Sequence, residues 1–236
     1  MHHQLSDTAV LVFVRDEREE ARLKSFRARL GLRANLRVVH TLNQHVTSVT
    51  RQAGLPTIFI KGHQQVGSTF GERFTNAIEA VFSAGYERVI TIGNDCLSLN
   101  AGHLHTIAKA LEQGTDMVLG PAQDGGVYAI GIRRQAFQKD RFLLLPWQTP
   151  DLFSALVNYI IKIGATYHHL PTAIDADDEQ SFQKALKHLV PATRLGQILR
   201  NLVQVNCIQV VINISFRTQI LFFITLLRAP PVLLHP

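Results

Sequence analysis

The sequence predicts an α/β fold, three layers deep, with a mainly parallel central sheet in one domain. Two observations carry this. The runs Arg88-Val-Ile-Thr-Ile-Gly and Asp116-Met-Val-Leu-Gly have strand length and β-branched content, and a helical segment separates them. Strand, helix, strand at this spacing implies a right-handed parallel crossover. The chain of 236 residues, 46% of them hydrophobic, is also long and apolar enough for one full core. Both strands end in glycine and then reach a carboxylate, Asp95 and Asp124. Ligands bind beyond the carboxyl ends of such strands, so the two acids are expected on one rim, on neighbouring strands.

The other elements follow in order. Thr8 to Val14 reads as a buried first strand. Asp16 to Leu30, acids early and bases late, reads as a helix stopped by Gly31. Ala34 to Ala53 is a second helix closed by Gly54, and Pro56 to Lys61 a second strand. Gly62 to Thr69 is a polar loop. It leads into a helix over Phe70 to Ala84, with Phe74, Ala77, Ile78, Val81 and Phe82 on one face. The third strand reaches Asp95, and a helix over Ala101 to Glu112 precedes the fourth. Gly126 to Ile132 is a further strand. Pro150 to Ile163 is a helix with Leu152, Phe153, Leu156, Val157, Ile160 and Ile161 as its apolar face. Ala165 to Leu170 is a short strand, and Glu179 to Leu189 a last helix.

From Pro191 the composition shifts, which divides the chain into a catalytic domain over 1–190 and an apolar extension over 191–236. Leu195 to Val203 reads as an amphipathic helix, and Ile208 to Ile214 alternates like a strand. The run Ile220 to Leu227 is too short to span a membrane, which takes roughly 20 apolar residues. The extension is therefore expected to pack on the domain or on a second subunit of a homo-oligomer. Two cysteines and an amino terminus without a signal-peptide pattern point to the cytoplasm. A net charge of +6 suits an anionic partner. No aromatic ladder interleaves the basic residues from Arg15 to Arg37, which argues against nucleic acid.

Several side chains read two ways. Asp95 is placed to ligate Mg²⁺ or Mn²⁺, or to cap the next turn. Asp124, in Gly120-Pro-Ala-Gln-Asp-Gly125-Gly126, is a hairpin turn or a ligand-side carboxylate whose two glycines let a backbone approach closely. Asp175, Asp177 and Asp178 favour a helix start, yet three acidic groups on one rim call for a cation between them. Gly67-Ser-Thr-Phe-Gly71-Glu72-Arg73 is a glycine loop whose amides suit a phosphate that Arg73 could clamp. Arg15 and Lys24 follow the first strand and could meet a diphosphate. The lone Trp147 is a core residue or a stacking platform for a sugar. Cys96 reads as a small buried residue.

In combination, GSTFGERFTNAIEAVFSAGYERVITIGNDC, VLGPAQDGGVYAIGI, LPWQT and IDADDEQSF resemble an uncharacterised bacterial family, domain of unknown function 2064, often labelled as glycosyltransferases. The resemblance runs from about Thr8 to Leu189. It implies a Rossmann-like glycosyltransferase-A domain, a nucleotide-diphospho-sugar donor, and a Mg²⁺ or Mn²⁺ ion held by Asp95. It also implies a ligand-side role for Asp124, as a second ligand of the ion and a catalytic carboxylate, a late D-x-D block whose Asp175 and Asp177 join in catalysis, and a loop at Gln65, Gly67, Gly71, Glu72 and Arg73. The chain departs from the family pattern at Leu97, at Val127 and in the loop from Arg15 to Lys24. Two alternatives stay open beside glycosyl transfer: nucleotidyl transfer from a nucleoside triphosphate, and a silent binding or scaffold protein.

Overall fold

The structure is a computed structural model that describes residues 7–24, 26, 31–190 and 193–203. Its elements run β1 (Thr8–Phe13), α1 (Glu17–Leu23), α2 (Leu32–Ala53), β2 (Thr57–Ile60), α3 (Phe70–Ser83), β3 (Arg88–Ile92), α4 (Ala101–Glu112), β4 (Met117–Pro121), β5 (Val127–Arg133), α5 (Lys139–Leu143), α6 (Leu152–Lys162), β6 (Tyr167–His169) and α7 (Glu179–His188). A further helical segment covers 194–203. The expectations for Ile208 to Ile214 and for Ile220 to Leu227 lie outside the described residues.

The strands form one six-stranded sheet in the order β2-β1-β3-β5-β4-β6. β1 pairs in parallel with β2 and β3, and β4 with β6; β5 runs against both β3 and β4. This corrects one expectation. β3 and β4 do point the same way, but they are not neighbours, because β5 lies between them. The reason is local. The turn at Ala122 to Gly126 closes on itself, with the Gly126 carbonyl accepting the Ala122 N–H at 3.0 Å and the Ala122 carbonyl accepting the Gly125 N–H at 3.2 Å. So β5 returns directly beside β4 and fills the place a crossover would have left to β3.

Side-chain alternation on the strands makes two cores. Ala9, Leu11 and Phe13 of β1 face a cluster with Phe74, Ile78 and Val81 of α3, Phe142 of α5, and Leu156 and Ile160 of α6. Val10 and Val12 face the other side, against Val46 and Val49 of α2 and Leu104 and Ile107 of α4. The result is the three-layer arrangement. All five residues expected on the apolar face of α3 are buried. On α6 the burial is offset: Tyr159 is buried and Ile161 is 65% exposed.

A third cluster lies beyond the sheet. It joins Ala21 of α1, Val38, Val39 and Leu42 of α2, Phe182 of α7, and Leu195, Leu199 and Val203 of the 194–203 segment. The 194–203 segment thus shares this cluster with α1, α2 and α7. α1 is shorter than expected, because Lys24 leaves helical geometry at φ −95°, ψ 123°. Phe26, two residues on, is fully buried edge-on to Phe182 at 5.1 Å.

Candidate active site

Asp95 follows β3 and Asp124 follows β4, so both stand at the carboxyl edge of the sheet. Both line one cavity of ≈ 840 Å³, although a strand separates β3 from β4. The late acidic block reaches the same edge by main-chain pairing. Past β6 the chain keeps alongside β4, where the Pro121 carbonyl accepts the Ala173 N–H at 3.0 Å. It then crosses to β3's extension: Cys96 and Asp175 form a bridge, and the Asp95 carbonyl accepts the Ala176 N–H at 3.0 Å. Asp175 and Asp177 are thereby delivered into the cavity wall. Asp178 points its carboxylate elsewhere, capping α7 by accepting the Ser181 N–H at 2.7 Å.

The cation that charge balance demands is supplied by the chain itself. The Lys24 ammonium lies 2.7 Å from Asp177 Oδ1, 3.0 Å from Asp95 Oδ2 and 3.7 Å from Glu20 Oε1. Burial works against the lysine charge, but Asp95, Asp177 and Glu20 outweigh it and hold the amine above its ordinary range. For Asp95, burial pushes the carboxyl up, and the Lys24 ammonium more than reverses this. Gly93 makes room: a Cβ there would stand 2.8 Å from Asp95 Oδ1.

Sequence reasoning missed the support behind Lys24. Glu20 is 2% exposed, and its carboxylate accepts from Asn94 Nδ2 at 2.9 Å. Asn94 also donates to Asn43 Oδ1 at 2.8 Å. Burial raises the Glu20 carboxyl above its usual range, with Lys24 and Asn94 pulling the other way. Nothing in the run Glu17 to Glu20 marks one acid as buried; only the packing of α1 on α2 selects it. The aromatic wall of the cavity, Phe13, Phe70 and Phe74, was legible only as core.

Asp175 has the opposite balance to Asp95. Its Oδ1 is buried with no hydrogen-bond partner among the described residues. Burial, then the charges of Asp95, Asp177 and Asp124, push its carboxyl well above the usual carboxylate range. The folded state thus binds a proton that the unfolded chain releases near pH 4. This contribution to stability is fully present below the unfolded pKa and is lost as pH rises through the folded one. Asp175→Asn in EDTA is therefore expected to raise Tm at pH 7 by a few degrees, at roughly 2–4 °C per kcal/mol gained. The gain should vanish toward pH 4. A Tm gain that is the same at both pH values would show that no titration is involved.

Part of the glycine loop's backbone is already engaged. Glu72 Oε2 accepts the Ser68 N–H at 2.6 Å and the Thr69 N–H at 3.2 Å, while Thr69 Oγ1 caps α3 through the Glu72 N–H. Two of the loop's backbone donors are thus held by a carboxylate of the same loop. Gly67, at φ +139°, lines the cavity and would place a Cβ 2.7 Å from Glu72 Cβ. Gln65 also lines the cavity and donates to the Val14 carbonyl at 2.9 Å. Arg73 lines the cavity too and donates to the Ser68 carbonyl at 3.0 Å. Arg15 stands at the rim, 3.6 Å from Glu19.

Two other expected ligand-side glycines are packing residues and do not line the cavity. A Cβ on Gly71 would lie 2.6 Å from Trp147 Cδ1, and one on Gly125 2.0 Å from the Pro150 carbonyl oxygen. Gly126 does line the cavity, and its N–H donates to Asp124 Oδ1 at 2.9 Å. Trp147 is packed against the core and also borders the cavity. Its indole N–H donates to the Phe142 carbonyl at 2.8 Å and its ring packs on Phe74 at 4.9 Å, yet it lines the cavity. Next to it, Gln148 is the one described non-glycine residue with positive φ, 62°. Cys96 is buried, and burial pushes its thiol up to about 12.

A model of the family described as "Uncharacterized protein conserved in bacteria", domain of unknown function 2064, matches residues 23–149. The chain belongs to that family. Among solved structures, the family fold is shared with a "putative nucleotide-diphospho-sugar transferase" from Desulfovibrio desulfuricans G20. The two are 21% identical, with 85% of this chain and 97% of that one covered and a TM-score of 0.70. More remote are Rv0371c from Mycobacterium tuberculosis H37Rv in complex with manganese and CMP:2-keto-3-deoxy-manno-octonic acid synthetase complexed with CTP. The first is 12% identical over 77% of this chain and 99% of that one, with a TM-score of 0.42. The second is 10% identical over 75% and 96%, with a TM-score of 0.40. No curated protein matches the chain. Among the described residues, no helix is long and apolar enough to cross a membrane.

Proposed function

We propose that the protein is a metal-dependent glycosyltransferase that takes a nucleotide-diphospho-sugar donor. The observation that carries this reading is the meeting of Asp95, Asp124, Asp175, Asp177 and Lys24 in one aromatic-walled cavity at the carboxyl edge of the sheet. Aromatic faces suit a base or sugar ring, and the charged end suits a diphosphate.

The residues fit a hard divalent ion in part. Asp95 offers carboxylate oxygens at the strand end, and the partnerless buried Oδ1 of Asp175 is an oxygen that wants a cation. Among the described residues, no group of three or more His, Cys, Asp or Glu is arranged to hold an ion. Mg²⁺ and Mn²⁺ sites of this kind take one or two carboxylates and complete the shell with ligand phosphates and water. Asp95 and Asp175 would hold the ion, which when bound supplies positive charge to the departing diphosphate. Asp124, on the β4–β5 turn in the same cavity, would accept the proton of an acceptor hydroxyl. Trp147, fixed through its indole N–H, would present a ring face to a sugar. Arg15 and Arg73 at the rim would draw in the anionic donor.

Glycosyl transfer is favoured over nucleotidyl transfer because the stretch after β1, Val14 to Leu30, holds no glycine for the phosphate loop that triphosphate sites usually place there. Thermal-shift and turnover screens of nucleoside diphosphates, nucleotide sugars and triphosphates, each with Mn²⁺ or EDTA, test this. A Mn²⁺-dependent shift with diphosphates and nucleotide sugars is expected. Pyrophosphate release from a triphosphate would replace the reading with nucleotidyl transfer, and no shift with any of them would favour the silent-scaffold alternative.

A further inference from the structure

Lys24 stands where charge balance would put a metal. Its main chain is fixed from three sides. Its N–H donates to the Glu20 carbonyl at 2.8 Å, its own carbonyl accepts from Asn35 Nδ2 on α2 at 3.2 Å, and the buried Phe26 follows it. Only the four-carbon stem is left to turn, and the Asp177 end of the contact opens to solvent, with that side chain 51% exposed against 16% for Lys24. The ammonium takes Asp95 Oδ2 at 3.0 Å. A divalent ion on the same carboxylate would sit roughly 2.0–2.2 Å from an oxygen. An ion on Oδ2 itself would come against the ammonium already held there, within a partly buried site where like charges are poorly screened.

We propose that Lys24 is a resident surrogate cation. It keeps the acidic site assembled when no divalent ion is present, and the ion enters only in exchange for it, releasing the ammonium into the cavity. This rests on the reading of Asp95 as the ion's ligand. Lys24 is then a competitor as well as a donor, and its departure from Asp95 delivers a positive charge to the cavity at the moment the ion binds.

Two measurements on the full chain test this. The first is calorimetric titration of MnCl₂ alone into wild type and Lys24→Met, with melting in EDTA and in Mn²⁺. The variant should bind Mn²⁺ at least tenfold more tightly, melt lower in EDTA and be restored by Mn²⁺. The second needs no mutant: acylation of the Lys24 amine, read by peptide mass spectrometry. Labelling should be slow in EDTA and several-fold faster in saturating Mn²⁺. Equal or weaker Mn²⁺ affinity in the variant overturns the exchange, and so does labelling that Mn²⁺ leaves unchanged. If the variant fails to fold, the labelling decides alone. Absence of Mn²⁺ binding to either protein also overturns it. Should the exchange be observed while no nucleoside diphosphate binds, the glycosyltransferase reading falls and this inference stands. Mn²⁺-dependent diphosphate binding without exchange has the reverse meaning.

Discussion

Gly125→Ala is expected to destabilise the protein by roughly 3 kcal/mol or more, the largest effect of any single methyl at the site. Two costs add. The residue sits at φ +91°, where a side chain is strained by about 1–3 kcal/mol. Its Cβ would also stand 2.0 Å from the Pro150 carbonyl oxygen and 2.8 Å from the carbonyl carbon, and overpacking of this kind costs about 1–3 kcal/mol. The obstacle is main chain, so no rotamer change relieves it. The Gly125 carbonyl also accepts the Phe153 N–H at 3.0 Å, so a shift would disturb the start of α6. Gly126→Ala is the control. Its Cβ would meet only the Asp124 side chain, at 3.2 Å, and its φ is not positive. Urea unfolding of both variants decides the matter. A loss below about 1 kcal/mol for Gly125→Ala, or equal losses in the two, would contradict the close approach of Gly125 to Pro150.

The second large effect is on binding. Asp95→Asn should weaken Mn²⁺-dependent binding of a nucleoside diphosphate tenfold or more, about 1.4 kcal/mol. The change is nearly isosteric and keeps an acceptor oxygen, but it removes the charge that faces Lys24 at 3.0 Å and that would face the ion. A carboxylate and a diphosphate repel without a cation between them, so losing the charge should be felt mainly when metal is present. The fold should persist, because Lys24 keeps Asp177 at 2.7 Å. Four titrations, wild type and variant with and without Mn²⁺, separate the possibilities. Equal diphosphate affinity in all four would remove Asp95 from the site.

Much of this architecture was legible in the sequence because it rests on local periodicity. The buried run of β1, the five-residue face of α3 and the glycine-terminated strands ending near Asp95 and Asp124 each carry their own signal over a few residues. The blocks around Asp95, Asp124 and Asp175 likewise pointed to one rim, since each follows a strand of the same direction. Order within the sheet was not legible. Whether β4 neighbours β3 depends on which edge β5 joins, and the period-2 pattern of β5 is the same in either place. Nor were the partners of charged groups. Glu20 differs from Glu17 and Glu19 only in what α2 and Asn94 bring against it, and two amides of the Gly67 loop are taken by a carboxylate three or four residues away. Gly71 and Gly125 looked like ligand glycines, but an approach to Trp147 or Pro150 exists only once α5 and α6 are docked. The sequence by itself determined the α/β class, the strand ends and the acidic character of the rim, because these follow from residue type and local spacing. The tertiary structure alone decided that the lysine just after α1 lies among those acids, because Coulomb interactions act over distances in space that the 71-residue separation of Lys24 and Asp95 conceals.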